Sequence, residues 1–214
     1  IVVGGGNAAF AAAVSAQENG AKRVVVLEKA PRAQRGGNTH FSGAIFRHIF
    51  NDASELDRFV PDAEEKYPGF HAGLPPYPIA AFREDLMRVT DGRSDPELSK
   101  ILIEQSYDAM CWLQESGRMK FELAQSVMGI RVGDKMKWPT GAIIRTVHEG
   151  VGLSATWFKT AEQLGIEIRY DASVMRLTQN DSWRVSGVVV RCPDGIKTLT
   201  AKSVVLGCGG FETS

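Results

Sequence analysis

The chain opens on Ile1-Val2-Val3-Gly4-Gly5-Gly6-Asn7-Ala8-Ala9, and the reading of that stretch decides the fold. Ile1-Val2-Val3 is apolar and β-branched, the end of a buried strand. Gly4 to Ala9 fits the pattern G-x-G-x-x-G/A, with Ala9 in the last place. The first glycine makes a tight turn, the second lets backbone N–H groups approach a pyrophosphate, and the small last residue lets a helix lie close on the strand. The positive end of that helix then faces the phosphates. An alanine-rich run over 7–19, closed by Gly20, has the composition of such a helix with a glycine stop. Residues 23–27 carry three valines and read as a second strand, ending at Glu28. Glu28 follows Gly6 by about 20 residues, the separation expected of a carboxylate that accepts bonds from a ribose diol. Strand, helix and strand together have the length of a parallel crossover, so dinucleotide binding is the first functional expectation.

The rest of the chain bounds that expectation. It has 214 residues, 43% hydrophobic, enough for a substantial core. Lys+Arg and Asp+Glu both number 25, and a net charge of zero gives no reason to expect nucleic acid or an anionic membrane as partner. No apolar run reaches bilayer-spanning length. Cys111, Cys192 and Cys208 form no C-x-x-C pair, so no zinc site is expected, and the pattern fits a reducing, cytoplasmic setting. His48, His71 and His148 have no partner at metal-ligand or triad spacing, and no serine stands in G-x-S-x-G. Arg145, His148 and Glu149 precede a helix and are expected at a strand end or on the surface. The chain reads as the N-terminal portion of a domain cut from a longer protein.

Residues 31–37 read as a loop, and 51–78, rich in proline and acid, as an irregular surface excursion. Helices are expected over 80–92 and 96–116, the second with Asp95 as N-cap and Pro96 in the first turn. Leu98, Ile101, Leu102, Met110 and Leu113 recur at helical spacing and are expected in the core. A third helix covers 150–164. Strands come next at 166–170, 174–177, 183–191 and 197–199, with Asp194-Gly195 as a hairpin turn, and then at 203–206. The expected fold is α/β, Rossmann-like, with a parallel sheet, a β-meander at about 173–200 and a helical insertion over about 50–140.

NAD and FAD share the first half of this fold, so the choice rests on the residues after the second strand. Arg35-Gly36-Gly37-Asn38-Thr39 and then Ser42-Gly43 supply a second glycine-rich approach. That suits the longer cofactor, FAD, over an NAD-dependent alternative. With Leu27-Glu28-Lys29-Ala30 and Cys208-Gly209-Gly210-Phe211-Glu212, these motifs resemble the flavoprotein family of fumarate reductases, succinate dehydrogenases and ketosteroid dehydrogenases, most of all its tricarballylate dehydrogenase branch.

The resemblance covers nearly the whole chain and implies site residues. Gly4, Gly5, Gly6, Asn7 and Ala8 would hold the pyrophosphate; Glu28, with Lys29 and Ala30 beside it, the adenosine ribose. Arg35, Gly36, Gly37, Asn38 and Thr39 would lie along the ribityl and isoalloxazine side, with Ser42 and Gly43 near the ring. Val174 would meet adenine through its backbone, and Cys208, Gly209 and Gly210 would return the chain toward the pyrophosphate. Asn38 stands where membrane-complex relatives carry a histidine that bonds FAD covalently, so non-covalent FAD is implied. Cys208 replaces a common threonine and is read as a packing residue. The implied activity is flavin-dependent dehydrogenation of a polycarboxylate such as tricarballylate, or fumarate-type reduction, with a separate, unidentified electron acceptor that would place the protein in the cytoplasm or at a membrane periphery. The capping domain, the returning FAD segment and the catalytic residues would lie outside residues 1–214. A ketosteroid-type dehydrogenase and a non-catalytic FAD-binding module are the alternatives.

Overall fold

The computed structural model describes residues 1–124, 129–133, 135–141 and 143–210, so Phe211 and Glu212 of the last motif lie outside the described residues. The chain divides into two compact units, Ile1–Ser42 with Gly150–Ser214, and Gly43–Glu149.

The first unit runs β1 (Val2–Val3), α1 (Asn7–Glu18), β2 (Val25–Leu27), α2 (Gly37–Phe41), α3 (Glu149–Gln163), β3 (Glu167–Arg169), β4 (Ser173–Gln179), β5 (Val185–Cys192), β6 (Gly195–Thr200) and β7 (Val205–Leu206). Its main sheet has the order β7-β1-β2-β3, parallel throughout, with Val2 opposite Val26 and Val205, and Val25 opposite Glu167. The valine-rich strands at its centre are buried on both faces, as a parallel sheet requires. The meander β6-β5-β4 is antiparallel, and Val188 and Val190 from its middle strand join Val3, Val25, Leu27 and Ala172 in one apolar cluster. Burying each such valine or leucine side chain contributes about 1.5–3 kcal/mol. The hairpin between β5 and β6 turns on Pro193-Asp194, one residue earlier than expected, with Gly195 following at φ +116. A register shift between Val189 and Val190 leaves Met175 as the extra residue of β4.

The second unit holds more sheet than its composition suggested. Ile45–Phe46, Ile144–Thr146 and Phe121–Leu123 make a three-stranded antiparallel sheet, and Ile130–Val132 pairs with Lys135–Lys137. The stretch 51–78 is not a surface excursion. Short helical turns at Ala53–Arg58, Ala63–Lys66 and Phe70–Gly73 bury Leu56, Phe59, Ala63, Phe70 and Tyr77, while its acids serve as caps and turn braces. Asp52 and Glu55 form a capping box, and Glu64 accepts from the backbone of Gly69 and His71.

The helix expected over 96–116 is two helices, Pro96–Glu104 and Ser106–Glu115, which meet at Gln105. Asp95 caps the first, accepting from Leu98 N at 2.9 Å. Met110 and Leu113 are core, but Leu98, Ile101 and Leu102 are 68%, 53% and 55% exposed. The inward face of that helix is Ser99 and Ile103 instead, because the Ser99 hydroxyl donates to Asp95 O and so tolerates burial.

His48 lies in the aromatic core of this unit, 1% exposed, with Phe50, Phe59 and Tyr107 around its ring at 5.5–6.0 Å. Its Nδ1 meets Ile49 O at 3.0 Å. Burial lowers its pKa from the ordinary 6.5, against smaller opposing effects of the Ile49 carbonyl and the Glu55 charge. Below that value the unfolded chain binds more protons than the folded one. The stabilisation is therefore complete above about pH 6.5 and is lost as pH falls toward the folded value. Carboxylates such as Asp85, lowered first by its bond from Arg88 and then by Tyr77, act in a separate window below about pH 4. The melting temperature should fall between pH 7 and pH 5, and His48→Phe should remove most of that fall. An equal fall in the variant would show that the buried imidazole is not its source.

Candidate functional site

One cleft of about 640 Å³ lies wholly within the first unit, a size in the range of small-molecule sites, about 300–1,000 Å³. Its floor is the turn between β1 and α1. Gly4 N donates to Leu27 O, and Gly4 takes φ +105, where a Cβ would come within 2.5 Å of Gly207 O. Gly207 lies against α1, where a Cβ would come within 2.7 Å of Ala9 Cα. The glycines and Ala9 are thus small because three backbone segments meet there. Gly6 is the N-cap of α1 and offers no side chain, so the first-turn amides face the cleft unscreened by a side chain of their own cap.

Glu28 stands at the end of β2, 6% exposed. Its Oε1 accepts from Ala30 N at 2.8 Å. Its Oε2 lies beside Gly5, where a Cβ would approach to 2.4 Å, and has no protein partner among the described residues. That leaves one carboxylate oxygen of a largely buried residue on the cleft wall, open to a ligand hydroxyl. Lys29 lines the cleft as well, whereas Ala30 braces Glu28 from outside the lining.

The second glycine loop forms the opposite wall. Gly36, Gly37, Asn38 and Thr39 all line the cleft. Gly36 has φ +105 and caps α2, and a Cβ there would meet Ser154 Oγ at 2.4 Å. Arg35 is outside the lining: its guanidinium stacks on the Phe158 ring at 4.6 Å. Ser42 closes α2, its hydroxyl donating to Thr39 O and its carbonyl accepting from Gly150 N. Gly43 belongs to the second unit. His40 turns its ring toward Phe41, at 5.1 Å.

One face of α3 supports both glycine loops. Gly150 sits under α2, where a Cβ would be 2.3 Å from Thr39 O; Ser154 lies under Gly36; Trp157 Nε1 donates to Asn7 Oδ1 at 2.7 Å; Phe158 carries Arg35. Spacings of four, seven and eight put these residues on a single helical stripe. Asn7, expected at the pyrophosphate, therefore has its side-chain oxygen tied to Trp157.

The remaining wall is the free edge of β4 and the turn after β7. Val174 lines the cleft as expected, and so do Ala172, Ser173, Met175, Arg176 and Leu177, which carry no motif. A strand edge offers backbone N–H and C=O groups whatever its side chains, so residue types do not mark it; the nearest sequence signal is the broken alternation at Met175. Cys208, Gly209 and Gly210 also line the cleft, and Cys208 is exposed rather than packed. Outside the cleft, Arg145 is the middle residue of the strand Ile144–Thr146 rather than a strand-end or surface position, and its guanidinium pairs with Glu122 and Glu149. No cluster of metal-ligand type occurs among the described residues. No helix among them is long and apolar enough to cross a membrane.

A parallel sheet whose first turn is built of glycines, a carboxylate with one oxygen open to the cleft at the end of the second strand and a second glycine loop on the same cleft define a dinucleotide-binding flavoprotein domain. The chain belongs to the FAD binding domain family, whose profile matches residues 1–214. It is 32% identical over 212 residues to a probable fumarate reductase, Ifc3, of Shewanella frigidimarina, and that match covers 99% of this chain and 32% of the relative. It is 29% identical to a urocanate reductase of Eggerthella lenta, over 100% of this chain and 32% of that protein. Among solved structures, the open conformation of a flavocytochrome c3 fumarate reductase superposes with a TM-score of 0.71 at 29% identity, covering 96% of this chain and 32% of that one. The expected family, that of the fumarate reductase and succinate dehydrogenase flavoproteins, and FAD as its cofactor are thereby established. The chain spans about a third of the length of the relatives it matches.

The close backbone contact at Gly207, where a Cβ would come within 2.7 Å of Ala9 Cα, lends itself to a test. Gly207→Ala should cost about 1–3 kcal/mol, because its methyl meets backbone on α1 that cannot rotate away. Urea unfolding measures this, and unchanged stability would mean that α1 and β7 have more room than described.

Proposed function

We propose that this chain holds FAD non-covalently in a flavin-dependent oxidoreductase that acts on a carbon–carbon bond of a small carboxylate. The direction is fumarate-type reduction of a double bond or the reverse dehydrogenation, with a polycarboxylate such as tricarballylate as the narrower substrate reading. The observation that carries the proposal is the two-ended cleft: Glu28 Oε2 lies open beside the phosphate turn, and Gly36-Gly37 opens a further wall. Kinship with proteins named as reductases of fumarate and urocanate, both unsaturated carboxylates, supports the substrate class.

In this reading the backbone of Gly4, Gly5, Gly6 and Ala8 faces the pyrophosphate, and Glu28 accepts from the adenosine ribose, held in place by Ala30 N. Backbone groups of the β4 edge around Val174 meet adenine. Gly36, Gly37 and Asn38 lie toward the flavin, and Gly209 and Gly210 close the phosphate side. Lys29 contributes positive charge at the rim of a site that receives an anion. When bound, FAD supplies the hydride donor or acceptor, and the protein supplies position and polarity. Asn38 has an amide nitrogen without a nucleophilic lone pair, which accords with a cofactor held without a covalent bond. The groups that grip the substrate carboxylates and move the proton are assigned to the part of a longer protein that corresponds to the unmatched two thirds of the relatives.

On acid precipitation of the purified protein, all the visible flavin absorbance should pass to the supernatant; flavin left in the pellet would refute non-covalent binding. Glu28→Ala should weaken FAD binding by about 1–3 kcal/mol through the lost charge-assisted bonds. A fluorescence titration with unchanged affinity would remove Glu28 from the site.

A further inference from the structure

Each unit carries an exposed apolar feature outside the lining of the cofactor cleft. In the first unit it is Trp183, 80% exposed in the turn between β4 and β5. Asn180 N donates to Arg184 O and Trp183 N to Asn180 O, while Asn180 Oδ1 accepts from both Ser182 N and Arg184 N at 3.0 Å. Gln179 Nε2 donates to Trp183 O. In this well-bonded turn Trp183 takes φ +61, the left-handed region that glycine adopts freely and a bulky residue avoids. Hairpin turns place glycine there by preference. Here an indole is held out in water, and no packing of its ring offsets the strain. Such strain is the mark of a position kept for function. Val185 beside it is exposed as well. Arg184 and Lys202 flank the tip, Lys202 because Ala201 N bonds Ser186 O at the base of β5. Both are exposed and without an ion pair among the described residues, and Asp181 is the one acid of the turn. In the second unit the feature is the helix Pro96–Glu104, where Leu98, Ile101 and Leu102 stand at i, i+3 and i+4 as a single exposed stripe. Glu97 and Glu104, seven residues apart and exposed, run along the Ile101 side of that stripe, with Lys100 beyond them toward the buried face.

We propose that these two surfaces bind each other between copies of the chain, Trp183 of one copy seating on the Leu98, Ile101 and Leu102 stripe of a second, with Arg184 and Lys202 set against Glu97 and Glu104. The charges are complementary: an indole flanked by cations meets an apolar stripe bordered by acids. The same division holds at larger scale, since bases exceed acids in the first unit and acids exceed bases in the second. A second copy supplies both the acidic stripe that the hairpin lacks and the cationic hairpin that the stripe lacks. Tryptophan and arginine are the residue types that most often anchor interfaces, and a turn already fixed by its own hydrogen bonds loses little entropy on docking. The contact joins unlike surfaces, so it is head-to-tail and either closes into a ring or extends. One hairpin tip on one helix face makes a small interface, so the association is reversible and depends on concentration. Its charges make it weaken as salt is added.

Sedimentation velocity over a concentration series tests this. The unsubstituted protein should show a mass that rises with concentration and falls with added salt. Trp183→Gly should weaken association by at least about tenfold. Its melting temperature should hold or rise, because glycine suits φ +61. The double substitution Leu98→Asp with Leu102→Asp should weaken association equally from the other side. Each variant should sediment alone as a monomer at a concentration where an equal mixture of the two forms pairs, since the mixture keeps one intact hairpin and one intact stripe. Thermal melting checks that the variants fold; if the double aspartate variant does not, Leu98→Ser with Leu102→Ser carries the same comparison. A protein that stays monomeric at every concentration would overturn the proposal and assign the two surfaces to other partners. Association undiminished in the Trp183 variant would place the contact on the stripe alone, and association undiminished in the Leu98 and Leu102 variant would place it on the hairpin alone. Either result, or a mixture that fails to pair, overturns the head-to-tail contact.

Discussion

The hydrogen bond from Trp157 Nε1 to Asn7 Oδ1, 2.7 Å long across 150 positions of sequence, holds the cofactor turn in its place. Trp157 is fully buried and stacks on Phe10 of α1, so the indole is fixed by packing before it is fixed by its bond. Leaving that buried N–H unpaired would cost about 1–3 kcal/mol, so the first turn of α1 is drawn to it. The same helix face carries Gly150 and Ser154 beneath the second glycine loop. One rigid element therefore sets the spacing between two loops that lie about 30 residues apart in the chain.

That arrangement explains why so many positions must be small. Glycine in a folded element costs about 0.5–1 kcal/mol relative to alanine. The chain accepts this cost where backbone meets backbone: Gly4 on Gly207, Gly207 on Ala9, and Gly150 on Thr39. At Gly5 the crowding partner is the carboxylate of Glu28, so the missing side chain leaves that oxygen open to solvent and ligand. Close packing and ligand access come from the same absent Cβ atoms. A cleft whose walls are set beforehand in this way loses less entropy on binding than one that must be ordered by its ligand.

Much of the first unit was legible in the sequence because its constraints act over short distances. The glycine pattern, the alanine-rich α1, the valine strands and the position of Glu28 are local signals, and each matches the structure. The second glycine loop was legible as a wall of the site, though Arg35 was not readable as a stacking residue, since its partner Phe158 lies far along the chain. Periodicity failed at Leu98, Ile101 and Leu102 because spacing identifies a helical face without identifying what faces it. Composition failed at 51–78 because prolines and acids there cap and turn around buried Phe59, Phe70 and Tyr77. The β4 edge was legible only at Val174, since a strand edge works through its backbone, which every residue shares.

Thr39 is the sharpest case of that limit. Its place after Gly36-Gly37-Asn38 assigns it to a loop, but the loop's direction is set by φ +105 at Gly36 and by the bare backbone of Gly150 more than 100 residues later. With both satisfied, α2 can bring the Thr39 hydroxyl against Asn7 N. A side chain at Gly150 would meet the carbonyls of Thr39, His40 and Ser42 together, within 2.3–2.8 Å, and would push α2 away from α1. The contact between the two cofactor loops thus depends on a glycine that touches neither the phosphate turn nor the cleft. In this fold the position of a binding group is decided by what lies behind it, which is why a motif names the residues of the site more readily than the roles they take.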